Sequence, residues 1–465
     1  MAQPLSHLRD IWATLKAGEL EVSGRAKFVE GSLMRHITVM SLTASIGLMA
    51  IFAVDLMNMV FISWLKDEDI TAAVGYAGAI LFFTTAFGIG LSIAVSALVA
   101  RAVGMRDLVL AREKATNGLI LGIGLGVLFT AAVWVFLPGF ISLLGATGRT
   151  HDLALHFLRI VVPSQPFLLV GMIGGAILRS HGDARRAMMA TVWGAVANAV
   201  LDPVLIFGLG WGLTGAAIAS VVSRAVIAAL ALLPIIRHHG GFDRPTVRGI
   251  MADARPVFGI AGPAILTQLA TPVGQAIITR MVAGYGEAAV AGMAIAGRLT
   301  PVALGVIFAM SGAVGPIIGQ NYGAGRLDRV RRAYLDALIF TAVVVAIMTV
   351  ILFALRAPIA DLFHATGLTR SLLYLFCGPL CLLFFFNGAI FVANAACNNL
   401  GAPLTSTAIN WGRHTIGTVP FALWLGAYWG AGGVLIGQAV GGVVFGLVAI
   451  WLGLRMIAKA QPAVR

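Results

Sequence analysis

Long apolar runs dominate this chain, and short polar segments separate them. A run of about 20 apolar residues is long enough to cross the hydrocarbon core of a bilayer as an α-helix. The pattern predicts twelve such spans, at residues 36–64, 71–100, 116–144, 154–178, 187–209, 212–236, 256–284, 287–319, 334–355, 369–397, 404–426 and 430–457. The predicted fold is therefore an all-α integral membrane protein of twelve transmembrane helices.

The widest polar interruption, 237-RHHGGFDRPTVRGIMADAR-255, divides the spans into two sets of six. Within the polar residues before the first span, 6-SHLRDIWATLKA-17 predicts a short amphipathic surface helix. The predicted organisation is an N-terminal segment, an N-lobe, a linker, a C-lobe and a tail, at residues 1–33, 34–236, 237–255, 256–457 and 458–465.

The two halves repeat each other in sequence. The stretch 91-LSIAVSALVARAVGMRD-107 matches 310-MSGAVGPIIGQNYGAGR-326, and 211-WGLTGAAIAS-220 matches 429-WGAGGVLIGQ-438 in the same order. Because six spans per half is an even number, both halves enter the membrane in the same direction. This predicts a parallel repeat about a pseudo-two-fold axis along the membrane normal, an arrangement that suits lobes rocking around a central cavity.

Composition agrees with a membrane protein and gives an orientation. Of the 465 residues, 59% are hydrophobic and only 11% are charged, whereas soluble proteins keep about a quarter charged. A net charge of +13 would suggest nucleic-acid binding in a soluble chain. Here Lys and Arg concentrate in alternate connecting segments, which predicts that both termini are cytoplasmic and that no nucleic acid is a partner.

Two of the 19 acidic residues, Asp55 and Asp202, lie well inside predicted spans. Asn198 and Asp202 are four residues apart and share one helix face, and Ser220 follows on the next helix. If Asp55 faces the same pocket, the set contains two carboxylates, an amide and a hydroxyl. Intramembrane acids typically mark ion or proton pathways, although each Asp could instead cap or kink its helix.

These oxygens predict a cation-coupling site at Asp55, Asn198, Asp202 and Ser220. Burial and a like-charged neighbour favour the protonated form of a carboxylate, while Na⁺ prefers oxygen ligands such as those of Asp55, Asn198 and Asp202. We favour H⁺, because two facing carboxylates readily share a proton. No other cofactor is expected, since the sequence has no Walker loop and no HExxH motif.

Four further polar residues are candidates for a substrate cavity: Gln275, Arg298, Asn387 and Asn394. For Arg298 we favour the alternative, a structural role in which it ties helix ends by bonding backbone carbonyls. The two asparagines share one face of the tenth span and could instead join helices by hydrogen bonds.

The segments 318-IGQNYGAGRLDRVRRA-333, 178-LRSHGDARRAM-188 and 55-DLMNMVFISWL-65 followed by 71-TAAVG-75 occur in an order that resembles the multidrug and toxic compound extrusion (MATE) family. The resemblance covers about residues 30–455. The acids of the first half look like those of its DinF-like branch, where a helix 1 Asp, a helix 5 Asn-x-x-x-Asp and a helix 6 hydroxyl form the coupling site. One departure is helix 1, which has no proline: Ala44 occupies the position that corresponds to Pro263 in the second half.

The resemblance implies a cation-coupled efflux antiporter of the bacterial inner membrane. Such a protein exports amphipathic or cationic small molecules, is surrounded by membrane lipid and is expected to act as a monomer rather than as an enzyme. The alternative is a lipid-linked oligosaccharide flippase of the same superfamily. Arg280, Arg298 and Arg413 leave that alternative open, whereas twelve spans and the buried acids disfavour it.

Overall fold

The computed structural model describes residues 26–461, so the predicted surface helix at 6–17 lies outside the described residues. The first half forms α1 to α6, at Leu33–Ser63, Glu68–Gly104, Leu108–Leu143, Gly148–Ser180, Ala184–Gly208 and Gly212–His238. The second half forms α7 (Val247–Ala283), α8 (Glu287–Ala303 and Gly305–Gly323), α9 (Leu327–Leu362), α10 (Gly367–Asn399), α11 (Pro403–His414, continuing at 419–428) and α12 (431–459).

Two segments of the second half depart from one straight helix per membrane span. The two parts of α8 meet at a bend of 48° and together make one span. Residues 403–459 contain two spans, because the backbone leaves the helical region at Trp429 and Gly430. The chain then folds back, so that Gly437 packs against Ala422. Residues 26–461 thus form the twelve spans that the apolar pattern predicts.

The turns between helices follow from local sequence. Asp107 and Asp183 precede α3 and α5, and each carboxylate accepts a hydrogen bond from a backbone N–H of the first helical turn. Gly182 (φ 79°) ends α4 and Gly401 (φ 86°) ends α10, both in the left-handed conformation that glycine adopts without strain. The two glycines are repeat counterparts, so both lobes close the same turn in the same way.

The lobes α1–α6 and α7–α12 meet through helices that are related by the repeat. Helix α1 packs on α8, and α7 packs correspondingly on α2. Helices α2 and α8 cross at Gly104 and Gly323, where a Cβ on either residue would overlap the backbone of the other helix. Only glycine allows this close approach, which places the crossing on the pseudo-two-fold axis.

The two ends of the bundle differ in how tightly the lobes are joined. We call the end that carries residues 26–32 and the α2–α3, α4–α5, α6–α7 and α8–α9 turns the basic end, and the opposite end the far end. The Gln320 side chain on α8 accepts from the Phe28 N–H (2.9 Å) and donates to the Ser180 carbonyl (2.7 Å). Among residues 26–461, every side-chain hydrogen bond between the lobes lies at the basic end. The lobes are therefore closed there.

The predicted linker is shorter in the structure than in the sequence prediction. Only residues 239–246 are non-helical, because α7 begins at Val247. Asp253 is buried and accepts hydrogen bonds from Lys114 and from Asn117 (2.8 Å) on α3. This buried ion pair stabilises the first turns of α7 as a helix, so residues 247–255 belong to α7 rather than to a loop.

The α4–α5 turn holds a cluster of ionisable groups. Burial alone would raise the pKa of Asp183, but hydrogen bonds from His239 (3.2 Å) and Arg186 (2.6 Å) outweigh it and hold that pKa well below its usual range. The His181 ring lies 4.8 Å from the His239 ring. Burial, together with His239, lowers the pKa of His181 to about 4. His181 is thus neutral at physiological pH.

Candidate ion-coupling site

The N-lobe contains a fully buried carboxylate on α5. Asn198 Nδ2 donates a hydrogen bond to Asp202 Oδ2 at 2.7 Å, as expected for residues four apart on one helix face. Asp202 is 0% exposed, and its second oxygen, Oδ1, has no hydrogen-bond partner among the described residues. The site therefore has one satisfied and one free carboxylate oxygen.

The helix changes its geometry directly after this carboxylate. Pro203 has no N–H to donate, and residues Val204–Gly208 form a π-helical turn instead of continuing the α-helix. Gly215 on α6 packs against the backbone of Leu205 and holds the turn in place. Wide helical turns of this kind are frequent at functional sites.

Helix α1 presents an amide to the same place. Gly47 on α1 lies against Thr191 on α5, and farther along the two parallel helices Phe61 lies 6.2 Å from Phe207. Asn58 and Asp202 lie eleven residues, or about three turns, after Gly47 and Thr191, so the two residues lie at the same level of the two helices.

Asn58 is a residue that the sequence reasoning missed. Its Oδ1 is buried without a partner, as is the Oδ1 of Asp202. The available signal was its position three residues after Asp55 in the segment DLMN, which places the two residues on adjacent faces of one helix. Two free oxygens at one level of two packed helices are suited to a shared proton or a small cation.

Asp55 lies close to this pair along α1 but is not bonded to it. Its side chain is exposed, and no hydrogen bond joins it to Asn198 or Asp202 in the described part of the chain. It continues the stripe formed by Ile37 and Ser41, which are buried between the lobes at the basic end. Asp55 therefore lies toward the far end of the α1 face that packs against α8 at the basic end.

Ser220 is also near the carboxylate without contacting it. On the antiparallel pair α5 and α6, Ser223 Oγ donates to the Gly194 carbonyl at 2.8 Å, which fixes the register. Ser220, one turn before Ser223 on α6, is thereby placed at the level of Asn198. Its hydroxyl donates to the Ala216 carbonyl of its own helix at 3.0 Å, and its oxygen lone pairs remain available.

The four candidate cavity residues fall in two environments. Gln275 and Arg298 are exposed. Arg298 lies two turns before Gly305 on α8, and Gly305 packs against Met49 of α1. Asn387 is part-buried, and its Oδ1 has no partner among the described residues. Asn394 is only 7% exposed and accepts from Asn410 at 3.0 Å, so the structure places it in the C-lobe interior, joining α10 to α11.

Comparison with known proteins assigns the chain and its fold to a family. The family model MatE matches residues 34–204 and 263–424, which are most of both lobes. The chain belongs to the MatE family. An FAD transporter from Shewanella oneidensis is 31% identical over 91% of this chain and 94% of its own length. The multidrug export protein MepA of Staphylococcus aureus strain N315 is 24% identical over 70% of this chain and 73% of its own length.

Solved structures of the family have the same architecture. A MATE crystal structure in a bent conformation superimposes with a TM-score of 0.85 at 26% identity, covering 93% of this chain and 97% of that one. A multidrug resistance MATE transporter in an outward-facing conformation gives a TM-score of 0.86 at 24% identity, covering 93% and 98%. This protein is thus a multi-pass membrane transporter with the twelve-helix, two-lobe fold, and not an enzyme.

Proposed function

We propose that this protein is a cation-coupled exporter that moves an amphipathic small molecule out of the cell in exchange for H⁺, with Na⁺ as the alternative coupling ion. The observation that carries the proposal is that Oδ1 of the fully buried Asp202 and Oδ1 of Asn58, at the same level of two packed helices, both lack a hydrogen-bond partner among the described residues. A carboxylate in a membrane span costs about 3 kcal/mol or more unless it is neutralised, so a proton or a cation stabilises this arrangement.

The charge distribution supports an orientation for this exchange. Lys and Arg concentrate at the basic end, which we assign to the cytoplasm together with both termini. With this orientation, closure of the lobes at the basic end supports an outward-facing state, in which the exposed Asp55 lies toward the far end of α1. In this state Asp55 is the first carboxylate that an entering cation meets, and Asp202 is the buried one that keeps it.

The substrate has two candidate classes. The relatives called MepA are multidrug export proteins, which supports cationic or amphipathic drugs. The relative from Shewanella oneidensis is an FAD transporter and matches almost the whole chain, which supports export of a flavin dinucleotide. We keep both classes, and we place the chain in the DinF-like branch on the strength of Asp55, Asn198 and Asp202.

The deciding experiment is transport in proteoliposomes with a pH gradient and a Na⁺ gradient imposed separately. Uptake of FAD and of a cationic dye would be followed for the wild type and for Asp202→Asn, with Asp152→Asn, an exposed acid outside this site, as the matched control. We expect one of the two gradients to drive uptake in the wild type and in the control, and neither gradient to drive it in Asp202→Asn. Gradient-driven uptake by Asp202→Asn at the wild-type rate would refute the proposed coupling role.

A further inference from the structure

The C-lobe has basic residues in a setting similar to that of the N-lobe carboxylate. Helix α5 leaves α-helical geometry directly after Asp202, and α11 is interrupted at residues 415–418 directly after Arg413 and His414. The fifth helix of each lobe therefore places ionisable side chains next to a break within the membrane. In the N-lobe the charge is negative, and in the C-lobe it is positive.

The charge of Arg413 is not neutralised by the structure around it. Its Nε is buried without a hydrogen-bond partner among residues 26–461. No aspartate or glutamate follows Asp361 in the sequence, so α10, α11 and α12 contain no carboxylate at all. Asp361 pairs with Arg370, and Asp336 pairs with Arg332. A part-buried guanidinium without a counter-ion is costly in a membrane protein and is typical of a ligand site.

The helix register places Asn387 on α10 near the level of Arg413 on α11. The Asn410–Asn394 hydrogen bond fixes the register of the antiparallel helices α11 and α10. Toward the far end, Asn387 lies two turns from Asn394, and Arg413 lies one turn from Asn410. Along the helix axes, Asn387 and Arg413 therefore lie roughly 6 Å apart. An arginine side chain spans that distance.

The amide oxygen of Asn387 has no hydrogen-bond partner among the described residues. This Oδ1 is buried, and it lies 3.5 Å from the position of a Cβ on Gly442 of α12. His414 packs its ring against Gly274 of α7, and its Nε2 also has no partner among the described residues. Arg413 and His414 at the α11 break and Asn387 on α10 thus each have a polar atom without a partner among the described residues.

We infer that Arg413 and Asn387 form an anion subsite that binds the phosphoryl groups of the transported molecule. The planar guanidinium can donate two parallel hydrogen bonds to a phosphoryl oxygen pair, and Nδ2 of Asn387 is the neutral donor, since its Oδ1 can only accept. A diphosphate joining two larger groups provides this chemistry. It occurs in a soluble dinucleotide such as FAD and also in a lipid-linked diphosphate. The inference rests on the proposed export function and specifies its substrate class.

The test is equilibrium binding to the purified full-length protein in lipid nanodiscs, without any ion gradient, so that its outcome does not depend on cation coupling. FAD and riboflavin share the isoalloxazine ring but differ in the diphosphate, and their binding is read from flavin fluorescence. We expect the wild type to bind FAD at least about tenfold more tightly than riboflavin. We expect Arg413→Gln to reduce this ratio to within about twofold and Arg413→Lys to retain part of it.

The matched control is Arg159→Gln, which removes an exposed arginine of α4 in the other lobe and is expected to keep the wild-type ratio. If Arg413→Gln does not fold, Asn387→Leu provides the second variant, with the same expected fall in the ratio. Equal affinities for FAD and riboflavin in the wild type, or a ratio that survives both substitutions, would overturn the inference.

A competition arm identifies the source of the diphosphate. Displacement of FAD by a polyprenyl diphosphate with an inhibition constant below the dissociation constant of FAD would support the subsite with a lipid-linked substrate. An inhibition constant above the dissociation constant of FAD would support it with a dinucleotide. Displacement of riboflavin from the wild type by the polyprenyl diphosphate, undiminished in Arg413→Gln, would show binding through the lipid chain alone and would count against the subsite.

Discussion

The two oxygens of Asp202 have different surroundings, and this asymmetry defines the site at the scale of single residues. The Asn198 amide satisfies one oxygen and orients the carboxylate, while the other oxygen faces the α1 helix without a partner. Asn198 is thus a positioning residue, and the free oxygen is the group that can take a proton or coordinate a cation. Asn58 supplies the second oxygen from across the helix contact.

Replacing Asn58 with leucine should weaken cation binding while leaving the fold intact, because the side chain keeps its size and loses only its amide. A hydrogen bond to a charged group contributes about 1.5–3 kcal/mol, so we expect the coupling-ion concentration for half-maximal transport to rise at least about tenfold. The measurement is substrate efflux against external pH or Na⁺ concentration. Met57→Leu on the neighbouring exposed position is the control, and an unchanged half-maximal concentration in Asn58→Leu would remove Asn58 from the site.

His181 gives a pH dependence whose sign follows from its surroundings. Its folded pKa of about 4 lies below the ordinary value near 6.5, so between these values the unfolded chain binds a proton that the folded protein does not. Stability should therefore fall as pH drops from 7 to 5, by at most about 2 kcal/mol from this group. Thermal unfolding of the wild type and His181→Phe at both pH values tests this, and an equal loss in the two proteins would contradict it.

At the scale of helices, the breaks decide where polar groups can be placed. Helix α4 is interrupted at Val162–Ser164, next to Pro163. Arg224 of α6 donates to the Val161 carbonyl (3.0 Å) and to Ser164 Oγ (2.9 Å). Of the arginines predicted to lie within spans, this one ties a helix break by bonding a backbone carbonyl. Membrane proteins tolerate such breaks only where neighbouring groups satisfy the freed backbone.

Arg224→Leu should therefore destabilise the N-lobe, because it removes the donor to the Ser164 hydroxyl and leaves the Val161 carbonyl with Ser164 Oγ as its remaining donor. The loss of the hydrogen bonds of a charged group predicts about 2–4 kcal/mol and a clearly lower thermal unfolding temperature. The measurement is a thermal-shift assay in detergent with Arg159→Gln, an exposed arginine of α4, as the control. Equal unfolding temperatures for the two variants would show that the α4 break does not depend on Arg224.

At the scale of the whole molecule, one glutamine links the lobes where they are closed. Gln320 of the C-lobe bonds both Phe28 and Ser180, while Asn321 and Arg329 donate to the Phe28 carbonyl. Residues 26–31 are thereby held between the lobes at the basic end. Alternating access requires these bonds to break when the basic end opens, so they bias the protein toward the state seen here.

Gln320→Ala should shift the population toward a state that is open at the basic end. Two lost hydrogen bonds of about 1 kcal/mol each predict a change of at least tenfold in the ratio of the two states. The measurement is the distance distribution between spin labels placed at the far ends of α2 and α7, which should shorten in the variant. Gln438→Ala on α12 is the matched control, and identical distributions in Gln320→Ala and the control would show that this link does not set the equilibrium.

Periodicity and composition were enough to predict the twelve spans, the parallel repeat and the pairing of Asn198 with Asp202, because these depend on local spacing along the chain. The shorter linker was not predictable, since α7 is extended by an ion pair between Asp253 and a lysine far away in sequence. Asp55 shows how far the sequence could predict the site. Its depth follows from the apolar run, but whether it contacts Asp202 depends on how α1 packs against α5 within the N-lobe.

The sequence by itself determined which residues lie in the membrane and which helix faces carry charge, because hydrophobic runs and helical spacing are properties of the chain alone. Only the tertiary structure decided which polar atoms remain without a partner: the free oxygens of Asp202 and Asn58, and the unpaired nitrogen of Arg413. Partners come from other helices, and a sequence does not state which helix packs against which. The candidate coupling site and the candidate anion subsite both depend on that packing.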